Sequence, residues 1–425
     1  MASNDSGVGT DSADSASAGS SPMQLSPISS PPFAGLTPIE SLEVFGSTMT
    51  DYERDEVHHY DAVYFTGVND IKKLDIATTK SFDDSKGNYR FVLRDHLFYR
   101  YEILQAVGSG SFGMVLRCYD HKRQYYCAVK VVRNWPKVSR SAEIEVEMLT
   151  HIKRRRQHPG FERIVKLHNF FDFRGHRCIV FELLGPSLYD ALKKRKFKGF
   201  LPSDVKTAAK PILLALDYLG TRGVIHCDLK PENILFTNDD FSSLKLIDLG
   251  SASMNNGTYY SYIQSRFYRA PEVLMQQGFG LPIDMWSFGC ILVELITGTP
   301  IFAGENRFDQ MTVILEVMGL PPMDLRRIGN VASDYFKYDG TPVYCKKKKD
   351  KANNITYTPD RSPKGNVRQA PGGKTWDMVF NGCPDPALIS ILNGCFDYNP
   401  QRRFTPCKAL LEPWLLLPPE VITID

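Results

Sequence analysis

The sequence predicts an α+β fold in two lobes, a small antiparallel sheet with one helix followed by a larger, mainly helical lobe. Short apolar runs that are typical of strands dominate residues 98–182 around a single helical segment. From residue 187 onward, apolar residues recur mainly at helical spacing. A glycine-rich turn joins the first two strand-like runs, and such a turn in the small lobe suits contact with phosphate.

Composition limits the class of protein. The chain has 425 residues, of which 43% are hydrophobic and 23% charged, enough to bury two lobes. No apolar run approaches the ~20 residues of a membrane-spanning helix, and the N-terminus lacks the pattern of a secretory signal. Nine cysteines without a Cys-x-x-Cys pair favour reduced thiols over disulfides or a zinc site. We therefore expect a protein of the cytoplasm, the nucleus or both, without a membrane partner.

Charge and composition divide the chain into segments. Residues 1–53 contain seven acidic residues and no Lys or Arg. Residues 1–39 are also rich in Ser, Gly, Ala and Pro, so they are predicted to form a disordered acidic tail. The segments predicted to follow are an accessory region at 40–97 that packs on the small lobe, a domain at 98–418 whose lobes meet between residues 184 and 185, and a tail at 419–425.

The glycine-rich turn has the spacing G-x-G-x-x-G-x-V and lies between the apolar runs Tyr101–Val107 and Met114–Tyr119. Glycine permits close approach of the backbone to phosphate oxygens, where a Cβ would intrude. A dinucleotide-binding turn is the usual competitor, but it requires a helix to follow, whereas a second strand is predicted here. The predicted ATP-binding residues of this turn are Gly108, Ser109, Gly110, Ser111, Phe112, Gly113 and Val115.

A lysine on the next predicted strand, Tyr125–Val132, is a candidate for phosphate binding. Lys130 lies near the end of this run, where a cation pairs with nucleotide phosphates and a helix carboxylate holds it. The helix predicted over Ala142–Lys153, from apolar residues repeating every four positions, carries Glu145. Glu145 is the predicted partner of Lys130. The alternative is that it belongs to a solvated face with its two acidic neighbours on that helix.

The stretch His226–Asn233 places an acid, a cation and an amide at fixed offsets on one short loop. Asp228 is predicted to orient a hydroxyl and accept its proton, and Lys230 to neutralise charge on a moving phosphoryl group. Asn233 is predicted to bind magnesium together with Asp248, which follows a short predicted strand. These residue types at this spacing predict phosphoryl transfer onto a hydroxyl.

Helical periodicity predicts the other elements of the large lobe. The predicted helices are Leu188–Lys196, Ser203–Thr221, Asp284–Thr297, Phe308–Met318 and Pro386–Phe396. A hydrophilic insertion at 338–375 contains the basic run Lys346–Lys349, which is either a nuclear-import signal or a solvated surface. Two further basic runs, Lys153–Arg156 and Lys193–Lys198, are interpreted as solvated faces or contacts for acidic substrates.

Taken in order, these motifs resemble those of eukaryotic protein kinases over roughly residues 98–418. Ala270-Pro271-Glu272 and Arg403 extend the resemblance, which implies that Glu272 pairs with Arg403. It also implies the bilobal protein-kinase fold, ATP and Mg²⁺ as cofactors, protein substrates, and a monomer that requires no nucleic acid. The implied adenine pocket has Val107, Val115 and Ala128 above the base, Leu235 below it, and the hinge residues Phe181, Glu182, Leu183 and Leu184 at its edge.

Finer features resemble the family of dual-specificity tyrosine-phosphorylation-regulated kinases (DYRK). His226-Cys227-Asp228 replaces the commoner His-Arg-Asp, and residues 259–272 resemble the DYRK activation segment. Residues 82–102 resemble the DYRK homology box, and residues 52–69 resemble the accessory region of the DYRK class that includes yeast Pom-type kinases. The CDC-like, or LAMMER, kinases are the alternative, but their Leu-Ala-Met-Met-Glu-Arg run is absent.

The DYRK resemblance implies a route of maturation. It implies that the kinase phosphorylates its own Tyr262, that Arg266 and Arg269 bind this phosphate, and that the mature enzyme acts on serine and threonine. Cys227 stands where most kinases have an arginine that binds a loop phosphate, so we expect one-time maturation rather than reversible control. Leu249 stands where most relatives carry phenylalanine, and we expect it to be tolerated.

Two other functions stay open at this point. A pseudokinase scaffold would keep the fold and lose the chemistry, and the complete set of predicted catalytic residues argues against it. A small-molecule phosphotransferase of related fold is disfavoured by the intact Ala-Pro-Glu segment.

Overall fold

The computed structural model describes residues 34–74, 76–153, 157–255 and 262–416. It has the two lobes that the sequence predicts, an antiparallel sheet with one long helix and a mainly helical lobe. Residues 1–33 of the predicted acidic tail lie outside the described residues, as do the predicted C-terminal tail and residues 154–156 of the first basic run. In the described parts of the chain, no helix is both long and apolar enough to cross a membrane.

Short helices precede the small lobe, namely α1 (Pro38–Phe45), α2 (Asp51–Glu56) and α3 (Ile76–Thr79). A threonine caps α1 and α2, and in each a glutamate three residues on bonds back to the threonine N–H. This capping box gives partners to backbone groups that a helix start leaves free. Leu36 also forms a bridge with Val63. Helix α1 thus begins one residue before the predicted end of the tail at residue 39, inside the Ser- and Pro-rich segment, and the boundary itself stays a prediction.

A buried network of charged side chains holds this accessory region on the small lobe. The Glu53 carboxylate accepts a hydrogen bond from Lys73 Nζ at 2.8 Å and lies 2.9 Å from His96 Nε2. The guanidinium of Arg174 pairs with Glu56 at 2.8 Å. Burial by itself would raise the pKa of Glu53, but His96 and Lys73 hold that pKa well below its ordinary value. Glu53 is therefore a buried carboxylate whose charge is balanced inside the fold.

The small lobe is built on one antiparallel sheet. Its strands are β1 (His96–Leu97), β2 (Tyr101–Gly110), β3 (Gly113–Asp120), β4 (Tyr125–Val132), β5 (Leu167–Phe173) and β6 (His176–Glu182). They lie in the order β1-β2-β3-β4-β6-β5. Between β4 and β5, helix α4 (Pro136–Ile152) buries a face that includes Glu145. The helix begins at Pro136 instead of the predicted Ala142, because proline suits a first turn that needs no N–H partner.

The large lobe is mainly helical. Its helices are α5 (Leu188–Lys194), α6 (Pro202–Thr221), α7 (Pro271–Leu274), α8 (Pro282–Thr297), α9 (Arg307–Met318), α10 (Trp376–Phe380), α11 (Pro386–Cys395), α12 (Pro406–Leu410) and α13 (Pro413–Leu416). Its short strands are β7 (Val224–Ile225), β8 (Ile234–Phe236), β9 (Leu244–Leu246), β10 (Ser253–Met254), β11 (Cys345–Lys349) and β12 (Ile355–Pro359). Strand β7 pairs with β10, β8 with β9 and β11 with β12. The helices predicted from periodicity are present, with ends shifted by at most two residues.

Helix α8 lies in the core of the large lobe. All of its residues from Ile283 to Leu295 are buried, most of them are apolar, and a helix that buries all of its sides lies inside a core. The helix ends at Gly298, which has a φ of 81° and caps the carbonyl end in the left-handed conformation. Asp284, in the first turn, is buried with the apolar residues. It is therefore available to bond neighbouring loops from a rigid support.

The hydrophilic insertion contains a hairpin that the sequence interpretation missed. Strands β11 and β12 pair antiparallel, with Lys347 opposite Tyr357, and Lys346–Lys349 are exposed. The Asp350 side chain closes the connection by accepting from the N–H groups of Ala352 and Asn354. Four consecutive lysines carry little strand signal, so the β-branched residues of the second strand decide the structure. Nuclear import through this run stays a prediction.

We expect Glu53→Gln to destabilise the protein, because the neutral amide removes the buried carboxylate that lies nearest to both Lys73 and His96. Breaking a buried pair by removing one partner costs roughly 3–5 kcal/mol, which a thermal unfolding curve detects. The pKa of Glu53 is lower in the folded state than in the unfolded state, so the charged carboxylate stabilises the fold. This contribution to the free energy of unfolding is fully present at pH values above the unfolded-state pKa of about 4.3. It is lost as the pH falls through the folded-state pKa. Glu43→Gln, at an exposed position on α1, is the matched control. Equal melting temperatures for both variants at pH 7 would contradict the role of Glu53.

Candidate active site

The turn between β2 and β3 forms the upper wall of the cleft between the lobes. Gly110 lies opposite Gly113 in the ladder, and the Phe112 carbonyl accepts from the Arg133 N–H at 2.9 Å. Gly113 has a φ of 129°, and a Cβ at this position would clash with the Val131 carbonyl. A Cβ at Gly108 or Gly110 would meet nothing within 4 Å. The turn thus presents open backbone to the cleft, as a phosphate-binding turn requires.

Lys130 links the small lobe to the large lobe. Its Nζ atom donates to Glu145 at 2.8 Å and to Asp248 at 3.3 Å. Burial would lower the pKa of Lys130, but the two carboxylates raise it, so the side chain stays charged. Burial would likewise raise the pKa of Asp248, but Lys130 keeps it below its ordinary value. The predicted pairing of Lys130 with Glu145 is confirmed, and Glu145 is not part of a solvated face, since it is 1% exposed.

The loop that carries the predicted acid, cation and amide is fixed from below by Asp284. The two oxygens of Asp284 accept the N–H of His226 at 2.7 Å and the N–H of Cys227 at 3.1 Å. Cys227 has a φ of 66°, a conformation that is unfavourable for a residue with a Cβ and needs such support. The His226 ring lies 3.1 Å from the Ile247 carbonyl, one residue before Asp248. One buried carboxylate therefore positions both halves of the predicted site.

Asp228 lies at the centre of a small hydrogen-bond network. Its Oδ2 atom accepts from Lys230 Nζ at 2.7 Å, and its Oδ1 atom accepts from the Ser265 hydroxyl at 2.7 Å and the Ser265 N–H at 3.1 Å. Lys230 also donates to the Ser265 hydroxyl at 3.2 Å. Ser265 belongs to the activation segment, so this network joins that segment to the loop. The sequence did not predict this role of Ser265, because its position in the activation-segment motif does not indicate that it bonds Asp228.

Asn233 and Asp248 supply the oxygen ligands that a divalent cation prefers. Asn233 Nδ2 donates to the Asp228 carbonyl at 2.9 Å, which leaves its Oδ1 atom available as a ligand. Asp248 has a φ of 62°, and its Oδ1 atom accepts from the Gly250 N–H at 3.3 Å. Carboxylate and amide oxygens are suitable ligands for hard divalent ions. The residues present thus fit the implied metal ion.

The segment after Asp248 packs against helix α4. The Ser141 hydroxyl, on α4, donates to the Gly250 carbonyl at 2.6 Å. Leu249 is buried in the main hydrophobic core, so leucine fills the position where phenylalanine is commoner. This packing and the Lys130 contacts keep Asp248 directed into the cleft.

The predicted adenine-pocket residues lie on both sides of the connection between the lobes. Ala128 lies opposite Phe181 in the sheet, and Val115 lies opposite Lys130. Leu235 belongs to β8 in the large lobe and forms a bridge with Ser187. Leu235, Val115 and Ala128 are half-buried, Val107 is exposed and Phe181 is buried. Their predicted contacts with a nucleotide stay predictions.

The connection itself is stiffened by a side chain. The Glu182 carboxylate accepts from the Lys166 N–H at 2.7 Å and from Lys245 Nζ at 2.6 Å. Lys245 lies on β9, three residues before Asp248. Within the described residues, the Leu184 N–H has no hydrogen-bond partner, and its predicted contact with adenine stays a prediction.

The activation segment is anchored by buried polar contacts at its C-terminal part. Gln264 donates to the Ile283 carbonyl and to Ser287 on α8, and it accepts the Ala270 N–H at 2.9 Å. The predicted pair of Glu272 and Arg403 is present with two contacts, at 2.6 Å and 3.0 Å. Such a bidentate pair is geometrically specific. The role of Gln264 was not predicted.

Tyr262 is 48% exposed and lies against Arg269, whose guanidinium carbon is 3.6 Å from the ring centroid. The guanidinium of Arg266 donates to the Glu305 carbonyl at 2.6 Å and to the Gly304 carbonyl at 3.4 Å. Of the two predicted phosphate partners, Arg269 thus contacts the tyrosine directly, while Arg266 is oriented toward the loop before α9. Residues 259–261 of the predicted segment lie outside the described residues.

The sequence is similar to those of known proteins. Residues 101–415 match the protein kinase domain family. The chain is 41% identical over 400 residues to dual specificity tyrosine-phosphorylation-regulated kinase 3 of Macaca fascicularis, covering 93% of this chain and 70% of that protein. This chain belongs to the DYRK family of protein kinases. The DYRK prediction is therefore confirmed over the CDC-like alternative.

Two further relatives of this DYRK kinase carry names from the same family. It is 38% identical over 384 residues to dual specificity tyrosine-phosphorylation-regulated kinase 4 of Homo sapiens, covering 89% of this chain and 70% of that protein. It is 39% identical over 385 residues to mbk-2 of Caenorhabditis briggsae, covering 90% of this chain and 47% of that protein. The DYRK chain thus spans about half the length of this nematode relative. A protein kinase domain implies ATP, a divalent metal ion and protein substrates; membership of the Pom-containing class stays a prediction.

We expect Ser265→Ala to lower kcat about tenfold, because a hydrogen bond to a charged group contributes roughly 1.5–3 kcal/mol. The variant removes the hydroxyl that holds Asp228 and Lys230 together on the side of the cleft that faces the acceptor. The KM for ATP should therefore change little. Steady-state kinetics with a peptide substrate measures both values, with the exposed Ser390→Ala as the control. A changed KM for ATP with an unchanged kcat would contradict this position for Ser265.

Proposed function

We propose that this DYRK kinase transfers the γ-phosphate of ATP to serine and threonine hydroxyls of protein substrates and phosphorylates its own Tyr262. The observation that carries the proposal is the position of Lys130, which contacts Glu145 on α4 and Asp248 of the large lobe at once. These contacts bring a phosphate-binding cation and a cation-binding carboxylate to the same part of the cleft. Phosphoryl transfer in kinases requires this arrangement.

The residues of the cleft have separate roles in the transfer. The glycine turn and Lys130 bind and orient phosphate oxygens, and Glu145 holds Lys130 in place. Asp228 orients the acceptor hydroxyl and accepts its proton, while its contacts with Lys230 and Ser265 keep it in position. Lys230 also stabilises negative charge on the transferred group. ATP, bound with its metal ion, supplies the phosphoryl group.

We propose Mg²⁺ as the metal ion. Mg²⁺ is bound in kinase sites by one or two side-chain oxygens together with substrate phosphates and waters, and Asn233 and Asp248 are a set of this kind. A thiol is not part of this set. Cys227, beside Asp228, is buried, and burial raises the pKa of its thiol well above the ordinary value.

The alternative is a pseudokinase that binds partners without catalysis. The contacts of Lys130, the hydrogen bonds of Asp228 and the free oxygen of Asn233 favour the active enzyme, because loss of chemistry removes the need to keep them. An ATP-binding assay and an autophosphorylation assay in Mg²⁺ separate the two functions. ATP binding without phosphate transfer by the wild-type protein would favour the scaffold.

We expect Asp248→Asn and Lys130→Met each to lower activity by more than about 10,000-fold, beyond the ~100- to 10,000-fold typical of one positioned acid–base group. Asp248→Asn removes a charged ligand of the metal ion, and Lys130→Met removes the phosphate cation. Radiometric phosphate transfer to a peptide measures the loss, and circular dichroism checks the fold. Asp239→Asn and Lys137→Met are the matched controls at exposed positions. Appreciable turnover by either active-site variant would overturn the assigned roles.

Tyr262 has the exposure and the surroundings of a maturation site. It is half exposed beside Arg269, so a phosphate there would meet a positive charge. Cys227 occupies the position from which an arginine would otherwise reach the activation segment, and it is buried. The activation segment is therefore ordered mainly by contacts of its own arginines and of Gln264. We propose that phosphorylation of Tyr262 completes this ordering once.

We expect Tyr262→Phe to give a protein with lower activity and a lower melting temperature, because it lacks the charge that the segment's arginines bind. Phosphopeptide mass spectrometry of the recombinant wild type should find Tyr262 modified, and should find it unmodified in Asp248→Asn. Tyr338→Phe, at an exposed tyrosine, is the control. Wild-type activity and melting temperature in Tyr262→Phe would overturn this maturation route.

We also propose that the kinase acts as a monomer in the cytoplasm, the nucleus or both. All nine cysteines are free thiols in the structure, which suits a reducing compartment. Target residues followed by proline and preceded by arginine, as the family resemblance implies, are the first peptides to assay.

A further inference from the structure

Two buried polar atoms, one on the activation segment and one on the segment after α9, have no hydrogen-bond partner in the described part of the chain. They are Nη1 of Arg269 and the hydroxyl oxygen of Tyr335. The two residues are 6% and 3% exposed. A buried polar atom without a partner is uncommon, and each instance calls for a physical reason. Each of these two atoms is therefore a candidate contact of a ligand.

The other nitrogen atoms of Arg269 are already bonded. Its Nε atom donates to the Ile263 carbonyl at 2.7 Å, and its Nη2 atom donates to the Gln264 carbonyl at 2.6 Å. These bonds fix the plane of the guanidinium against the ring of Tyr262. The remaining atom, Nη1, is therefore held in place beside Tyr262 as a donor that makes no well-formed hydrogen bond with the described residues.

Tyr335 approaches the activation segment from a different part of the fold. It follows the short turn Ala332–Asp334, and its ring packs on Phe308 in the first turn of α9, with 6.1 Å between centroids. The carbonyl of Glu305, just before α9, accepts a hydrogen bond from Arg266. The N-terminal end of α9 therefore adjoins the activation segment. Burial raises the pKa of Tyr335 to about 12, and Tyr262 and Arg269 are among the groups that act on its hydroxyl.

The surroundings of these donors suit an anion. The carboxylate nearest in sequence, Asp334, is paired with Arg307 at 3.0 Å. Arg307 also lies over the Phe308 ring, with its guanidinium carbon 4.5 Å from the centroid. A phosphate on tyrosine brings three acceptor oxygens and about −1.5 to −2 charge. Arg269 offers one unused charged donor, and Tyr335 offers one unused neutral donor.

We propose that Tyr335 binds the phosphate of Tyr262 through its hydroxyl, as a positioning residue beside Arg269. The inference rests on the proposed autophosphorylation of Tyr262. Tyr335 lies between α9 and the β11–β12 hairpin. A phosphate on Tyr262 would therefore link the activation segment to this part of the large lobe, in addition to contacting the arginine of the activation segment. The segment between α9 and the β11–β12 hairpin thereby takes part in maturation of the kinase.

A double-mutant cycle tests the contact. The four proteins are the wild type, Tyr335→Phe, Tyr262→Phe and the double variant, and mass spectrometry measures the Tyr262 phosphate in the two proteins that keep this tyrosine. Tyr335→Phe keeps the buried ring and removes the hydroxyl alone. In the phosphorylated protein it should lower the melting temperature by about 2–4 °C, whereas in the Tyr262→Phe background it should have almost no effect.

A second readout follows the phosphate directly. A tyrosine phosphatase should remove the Tyr262 phosphate about tenfold faster from Tyr335→Phe than from the wild type, since one hydrogen bond to a charged group is lost. Tyr125→Phe is the matched control, because its hydroxyl in the small lobe is also buried without a partner in the described residues. This control should leave the rate of dephosphorylation unchanged.

The outcomes separate the inference from the proposed function. Equal effects of Tyr335→Phe with and without the Tyr262 phosphate would mean that the hydroxyl binds water or nothing, and would overturn the contact alone. Wild-type protein without phosphate on Tyr262 would overturn the autophosphorylation proposal and the contact with it. Coupling between the two positions, with faster dephosphorylation, would support both.

Discussion

The contact of Lys130 with two carboxylates is the interaction on which the rest of the site depends. A buried ammonium is costly unless it is paired, and Glu145 and Asp248 come from different lobes to pair it. The position of α4 and the direction of Asp248 are therefore set by one charge. Ser141, which bonds the Gly250 carbonyl, holds the same two elements together a few residues away. The cleft has its catalytic geometry only while these contacts are kept.

The lower half of the site depends in the same way on helix α8. Its buried Asp284 carries the backbone of His226 and Cys227, and its Ser287 and Ile283 bond Gln264 of the activation segment. A helix inside a close-packed core moves little. The catalytic loop and the activation segment are thus mounted on one rigid support, and Ser265 joins them above it through Asp228. Because the activation segment is held in this way, its residue Ser265 can keep a fixed contact with the catalytic Asp228.

Much of this was readable from the sequence, because contiguous motifs carry their own geometry. The glycine turn, Lys130, Asp228 and Asp248 were predicted from spacing, and Glu145 from helical periodicity. Contacts between distant segments carry no such signal. Asp284 was predicted only as a helix start, and Ser265 only as part of a motif, since their partners lie 57 and 37 positions away. The helix start near residue 37 was not predicted because its capping box lies in a segment rich in Ser and Pro. The β11–β12 hairpin was not predicted because its first strand consists mostly of lysines.

The bond between Glu182 and Lys245 has a consequence for how the enzyme opens and shuts. Lys245 is followed within three residues by Asp248, so the linker between the lobes is tied to the metal-binding strand. Since Glu182 ends β6, this bond joins the last residue of the small-lobe sheet to the strand that leads into Asp248. A change in the angle between the lobes must therefore either lengthen this bond or shift β9 with the sheet.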